Sequence, residues 1–406
     1  MANVSSSNGL EKRPQLRFPG FEEPWKAALL SDYFSKNIKK NSDGKITNVI
    51  CNSAKQGLIP QREYFDKDIA NSDNTDGYYI IETNDFVYNP RKSSDAPYGP
   101  ISSYKYPEAG IVSPLYLCFR AKQEINPLYF EWYFRSSAWH RYIYMSGDSG
   151  ARHDRVSIKD DTFFAMPINL PSGKEQEKIA VFLDGVEKRI EKQRSLVEAL
   201  KKYKRGLLHE VLSEHIKVAD EEWHEFKIGD FLISKNIRQL PSLDAPLMAF
   251  TATGGVCEKG ERYDRGFLVK DASTKLYKRT DLNDFIYSSN NLDVGSIGLN
   301  QYGSAVISDV YEIFTISGAD PWFISEVIQQ KSVLSTILKY RQGCLYGQYR
   351  IYAEDFQNVS IMLPSLQVQK KVGFMFARLD RRIENEQGLL DQLSATRSFL
   401  LQQLFI

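Results

Sequence analysis

The feature that most constrains this chain is a pair of long proline-free segments, 174–213 and 367–404, each set just after a Leu-Pro dipeptide and each carrying apolar residues at intervals of four and three. That spacing lays one apolar stripe along a helix, and a sustained seven-residue repeat favours a coiled coil. In the first segment the stripe runs through Ile179, Leu183, Val186, Ile190, Val197, Leu200, Leu207 and Val211, with Gln193 and Lys204 in two of its slots. A shift of 193 residues gives Val372, Phe376, Leu379, Ile383, Leu390, Leu393, Leu400 and Leu404, with Glu386 and Arg397 in the polar slots. Each segment is about 40 residues, or about 60 Å of helix at 1.5 Å per residue. Equal seams on duplicated units bury most simply against each other, so the spacing predicts an antiparallel helix pair. Lys204 is then expected beside Glu386, and Gln193 beside Arg397.

The remainder of the chain is duplicated in the same order. Trp25, Asp32 and Ser35-Lys36-Asn37-Ile38 recur as Trp223, Asp230 and Ser234-Lys235-Asn236-Ile237. Asn84-Asp85-Phe86-Val87-Tyr88 recurs as Asn283-Asp284-Phe285-Ile286-Tyr287, and Leu170-Pro171 with Gln176 as Leu363-Pro364 with Gln369. Between the repeats, Gly, Asn, Asp and Ser punctuate short apolar runs at 78–82, 111–119, 285–288 and 305–316, which read as strands and turns. Helices are expected over 127–144 and 321–340. The fold class that follows is mixed α/β: two globules separated by two long helices in an antiparallel coiled coil, an internal pseudo-twofold repeat. The expected divisions are a tail at 1–20, a first globule at 21–172, a helix at 173–214, a second globule at 215–365 and a second helix at 366–406. Within the tail and just beyond it, Pro14 to Phe21 is apolar enough to dock on another part of the chain.

Composition matters chiefly for what it excludes. With 42% hydrophobic and 25% charged residues the chain matches an ordinary globular protein. Basic and acidic residues number 52 and 51, a net charge of +1, so a nucleic acid would have to be held by local patches. Cys51, Cys118, Cys257 and Cys344 form no C-x-x-C pair, which points to free thiols in a reducing compartment and offers no zinc framework. The polar N-terminus and the lack of an apolar run of about 18 residues indicate neither export nor membrane insertion, so a cytoplasmic location is expected.

No catalytic constellation emerges. Gly44-Lys45 and Gly173-Lys174 lack the hydroxyl and the spacing of a phosphate-binding loop, and the spacing of His209 and His215 does not suit a zinc helix. Asn126-Pro127-Leu128-Tyr129 approximates an amino-methyltransferase loop, but a helix start with proline in the first turn explains it better. No metal, cofactor or catalytic residue is therefore assigned to the chain.

Two polar, glycine-containing stretches, 146–155 and 341–350, occupy equivalent places before the last strand of each globule. Glycine lets backbone approach a surface, and Arg, Gln and Tyr can reach phosphates and base edges. From these stretches and their basic neighbours the candidate DNA contacts are Arg91, Lys92, Tyr104, Lys105, Arg141, Arg152 and Arg155 in the first half. In the second half they are Lys275, Lys278, Arg279, Arg341, Gln348, Tyr349 and Arg350. The same residues also fit solvated surface turns.

Leu170-Pro171-Ser172-Gly173-Lys174-Glu175-Gln176-Glu177-Lys178-Ile179-Ala180, running on to Gly206-Leu207-Leu208, resembles the helical region of Type I restriction-modification specificity subunits. Leu363-Pro364 to Phe405 resembles its second copy, and Leu16 to Phe21 with Trp25 is similar to the start of many such subunits. The second copy departs from the first, with Val368 in place of Glu175 and Gly373 in place of Ala180. The resemblance implies a non-catalytic reader of a split, asymmetric double-stranded DNA sequence, with one target-recognition domain per half. It implies docking of two methyltransferase subunits that use S-adenosylmethionine, and of restriction subunits that use ATP and Mg. The alternative is a coiled-coil scaffold with two protein-binding globules, favoured by the 14 basic against 19 acidic residues of 219–365.

A near-neutral chain releases few counterions on binding DNA. The isolated chain is therefore expected to bind DNA weakly at physiological salt and to gain affinity with its modification subunits. Nanomolar, sequence-specific binding by the chain alone in a salt-titrated assay would contradict this.

Overall fold

The computed structural model describes residues 13–64, 75–147, 154–213, 218–252, 254–258, 274–290, 292–293, 295–345 and 348–406. It divides into two compact units, Met1–Arg194 with Leu389–Ile406, and Ser195–Gly388.

In the first unit a four-stranded antiparallel sheet runs in the order Phe34–Lys36, Leu117–Ala121, Phe86–Tyr88, Ile101–Ser103. In the second the order is Leu232–Ser234, Tyr311–Ile316, Phe285–Ser288, Ile297–Leu299, so equivalent strands of the repeat take equivalent places. Each globule is also closed by a strand pair at its base. Lys26–Leu29 pairs with Pro167–Leu170 in one, and His224–Lys227 with Ser360–Leu363 in the other. The strand that closes each globule leads directly through Leu-Pro into a long helix.

The recurrent Asn-Asp-Phe motif has a physical role in both copies. Asn84 and Asn283 stand at φ of 70° and 67°, a left-handed conformation that asparagine tolerates better than most residues. The following aspartates are buried and end the turn by accepting backbone N–H groups, Glu82 to Asp85 at 2.8 Å and Asp281 to Asp284 at 2.7 Å. A buried carboxylate needs a cation. Asp85 receives Arg120 through two nitrogens at 2.6 and 2.7 Å, whereas Asp284 receives the Lys235 ammonium at 2.6 Å. The next aromatic positions also agree: Tyr88 stacks on Phe163 and Tyr287 on Phe356.

The expected helices at 127–144 and 321–340 are each split in two. Pro127–Arg135 is followed by His140–Ser146, and Pro321–Ile328 by Lys331–Ile337. The breaks fall where Ser136 and Gln330 take extended backbone. Asn126 caps the first of these helices by accepting the Tyr129 N–H at 3.0 Å, with proline in the first turn, and Asp320 does the same for Phe323 at 2.9 Å.

The long helices span Gly173–Leu212 and Leu366–Gln403 and pack together as a coiled coil. In the first unit Ile179 and Leu183 share a core with Leu404 and Phe405, and Glu187 pairs with Arg397 at 2.7 Å. Rising numbers on one helix thus meet falling numbers on the other. In the second unit Leu208 and Val211 share a core with Val368, Val372 and Phe376, and Lys204 pairs with Asp380 at 2.7 Å. The direction is again antiparallel. The seam positions Ile190, Val197 and Leu390 are buried, and Val186, Leu200, Leu207, Leu379, Ile383, Leu393 and Leu400 are half-buried.

The ion pairs correct the expected register. Lys204 bonds Asp380 and Glu326, and Arg397 bonds Glu187, so in both cases the helix partner lies nearly two turns from the slot expected. At Lys204 the globule contributes as well: Glu326 on the helix Pro321–Ile328 supplies a second carboxylate that the seam pattern alone does not encode. Burial works against the charged form of Lys204, but Glu326 and Asp380 outweigh it and raise its pKa.

Both departures of the second helix copy have packing causes. Glu175 is buried because Arg17 reaches it through two nitrogens at 2.8 and 2.9 Å. Arg17 lies in the segment 14–21, which docks on the helix pair. There Phe18 meets Phe182 edge-on and the Leu16 N–H donates to the Gln403 carbonyl. Val368 instead fills the apolar core of the second unit. Gly373 faces the Asp320 cap, where an added Cβ would stand 2.0 Å from Oδ1 and 3.1 Å from the Phe323 nitrogen. Gly373→Ala is accordingly expected to cost about 1–3 kcal/mol by displacing the cap. Denaturant unfolding of the variant checks this, and an unchanged or raised stability would contradict it.

Candidate nucleic-acid interface

The structure brings together three of the candidate residues from distant parts of the sequence. Arg91 and Arg155 form an antiparallel bridge, the Lys92 N–H donates to the Asp154 carbonyl at 2.8 Å, and the Val156 N–H donates to the Pro90 carbonyl at 2.9 Å. These bonds seat Arg91, Lys92 and Arg155 on one cleft of about 410 Å³, shared with Asn89, Ser93 and Tyr116. Among the described residues no acidic side chain lines it. Arg91 and Lys92 are exposed and form no ion pair among the described residues, and Arg155 stands 3.9 Å from its neighbour Asp154. Exposed cations such as Arg91 and Lys92, beside amide and hydroxyl groups, can take phosphate oxygens and base edges alike.

The other first-half candidates lie elsewhere. Arg141 is exposed on the helix His140–Ser146, and Lys105 pairs with the buried Glu131 at 3.0 Å. Arg152 lies outside the described residues. Tyr104 is a correction: its ring is fully buried, and its hydroxyl donates to the Glu108 carbonyl at 2.8 Å. It is a core residue whose polar tip is satisfied internally.

In the second unit the candidate cations are largely neutralised within the fold. Lys278 is buried, donating to Glu312 at 2.9 Å and to the Tyr311 carbonyl at 2.8 Å, so it too is corrected from contact residue to core ion pair. Arg350 bonds the same Glu312 at 2.9 Å and lies over Tyr352. Arg279 clamps Asp281, whose carboxyl it holds well below the usual carboxylate range. Within 341–350 the strands Gln342–Leu345 and Gln348–Arg350 pair as a hairpin. Arg341 lies over the Tyr349 ring, whose hydroxyl donates to Asp293 at 2.6 Å. Lys275 is exposed and lies over Tyr277. The Gln348 side chain lies outside what the structure describes.

Sequence reasoning missed Tyr116, which stands in no basic or glycine-rich stretch, and Asn89, an uncharged residue just before Arg91-Lys92. The cleft is assembled by pairing across the chain, and local pattern carries little trace of it. Among the described residues no cluster of His, Cys, Asp and Glu could hold a metal ion, and no helix is long and apolar enough to cross a membrane.

The Type I restriction modification DNA specificity domain family matches residues 31–199 and again 220–395, the two copies of the repeat. No curated protein matches the chain. Among solved structures, the Type-I restriction-modification system S subunit from M. genitalium is similar in fold with a TM-score of 0.60 at 14% identity, over 97% of this chain and 99% of that one. A chain from a structure describing complex assembly and conformational transition of the type I R-M system has a TM-score of 0.52 at 13% identity, over 96% and 99%. The chain belongs to the Type I restriction-modification specificity-subunit family, whose members are non-catalytic and whose systems carry their enzymatic activities in other subunits.

The contrast between core and cleft is measurable. Tyr104→Ala is expected to lower stability by about 3–5 kcal/mol and Arg91→Ala by less than about 0.5 kcal/mol. Urea unfolding of the two variants checks this, and comparable losses would contradict the assignment.

Proposed function

We propose that this specificity subunit reads a split, asymmetric double-stranded DNA target, one half-site per globule, with the helix pair fixing the unspecified gap. The observation that carries the reading is the duplication itself. Two globules of the same strand order each run through Leu-Pro into an equivalent seam helix, and the DNA specificity domain matches both copies. A repeated reader on a shared support suits a target made of two short pieces.

In this reading the helices also dock two methyltransferase subunits, which transfer a methyl group from S-adenosylmethionine to adenine N6, in the cytoplasm. Restriction subunits using ATP and Mg join the same assembly. The first globule reads through Arg91, Lys92 and Arg155. The second presents Lys275, Arg341, Tyr349 and Arg350, with Arg279 tied to Asp281. The scaffold reading draws support from the internal ion pairs of the second unit, but it leaves the basic cleft of the first without a use.

The test is the double variant Arg91→Ala, Arg155→Ala, assembled with its modification subunits and assayed on duplexes altered in one half-site at a time. Discrimination at one half-site is expected to fall by about 1–3 kcal/mol for each base-contacting arginine, with the other half-site unaffected. Equal loss at both half-sites, or none at either, would contradict the division of labour.

A further inference from the structure

The first unit holds a second cleft, of about 670 Å³, between its globule and its part of the helix pair. It is lined by Lys55, Arg135, Arg194 and Arg397, with Asp95 and Glu187 as the acids. Ala54 and Pro100 line both this cleft and the one that holds Arg91, Lys92 and Arg155, so the two clefts adjoin at those residues. Most cations of the second cleft are engaged. Lys55 pairs with Asp95 at 3.6 Å, Arg135 with Glu131 at 2.8 Å, and Arg397 with Glu187 through Nη1. Arg194 is exposed and forms no ion pair among the described residues.

We propose that the two clefts form one groove, a continuous track for the DNA backbone, in which Arg194 on the first long helix contacts a phosphate. The inference rests on the DNA-reading function proposed above and adds to it a contact made by a helix instead of a globule. A duplex seated on Arg91 and Arg155 presents phosphates at regular intervals along its length, and the groove leads from those residues to an unpaired guanidinium. Arg135 and Arg397 flank that position with their charges partly compensated. A backbone contact carries no sequence information, so Arg194 serves affinity and leaves the choice of bases to the globule. The rest of the exposed face of the helix remains available to protein partners.

The experiment compares the wild-type chain with Arg194→Gln and Arg194→Glu, each assembled with its methyltransferase subunits, on cognate and scrambled duplexes over a range of salt. Glutamine retains helix propensity at this exposed position, so folding is preserved. The expected result is a loss of about three- to tenfold in affinity, equal on both duplexes, with a salt slope shallower by about one and the methylated motif unchanged. Affinity and slope matching the wild type in both variants would overturn the track while leaving the DNA-reading function intact. So would variants that no longer assemble with the methyltransferase, because Arg194 would then belong to a protein interface. A wild-type complex that binds no DNA would overturn both proposals together.

Discussion

The arrangement depends on the apolar seam of the two long helices, which neither helix could leave in water. The first compact unit is completed by a piece of chain far away in sequence, the last residues of the second helix, whereas the second is one continuous stretch that begins with the last turns of the first helix. Leu404 and Phe405 join the core of the first globule, where Phe405 lies 5.6 Å from the Tyr129 ring. Leu208 and Val211 do the corresponding work in the second. A helix pair used in this way is part of both cores, so the ends of the helices are placed by the same packing that holds each globule together.

Charge is distributed differently in the two units although their folds correspond. Among the described residues the first unit leaves Arg91, Lys92 and Arg194 without carboxylate partners, while the second ties Lys278, Arg350 and Arg279 to Glu312 and Asp281. Duplicated domains diverge most readily on the surface that meets a ligand, because packing and buried polar groups limit change elsewhere. The two buried aspartates illustrate that limit: Asp85 and Asp284 keep the same turn, although the cation that satisfies each comes from a different strand or its edge.

Much of this was open to reading in the sequence, because periodicity and duplication are local signals that survive without coordinates. The seam, the Leu-Pro transitions, the proline-started helices and the parallel succession of strands all belong to that class. The register of the helix pair was not readable, since equal seams fit at more than one offset, and one partner of Lys204, Glu326, belongs to a different element. Burial was equally hidden: Tyr104-Lys105 and Tyr277-Lys278-Arg279 look like basic aromatic patches, yet the sheet turns Tyr104 and Lys278 inward. The first cleft needs Arg91 and Arg155 to pair across more than sixty residues, and no window on the chain contains both groups. The helix residue Arg194 looks like any solvated charge until the groove beside it is seen.

The central claim is that a duplicated chain reads a divided target. It is tested most directly by sequencing methylated adenines in cells that express this chain with its modification subunit. The account predicts one asymmetric motif of two specified half-sites separated by a gap of fixed length and unspecified bases. A continuous motif, or methylation that does not depend on the presence of this chain, would contradict it.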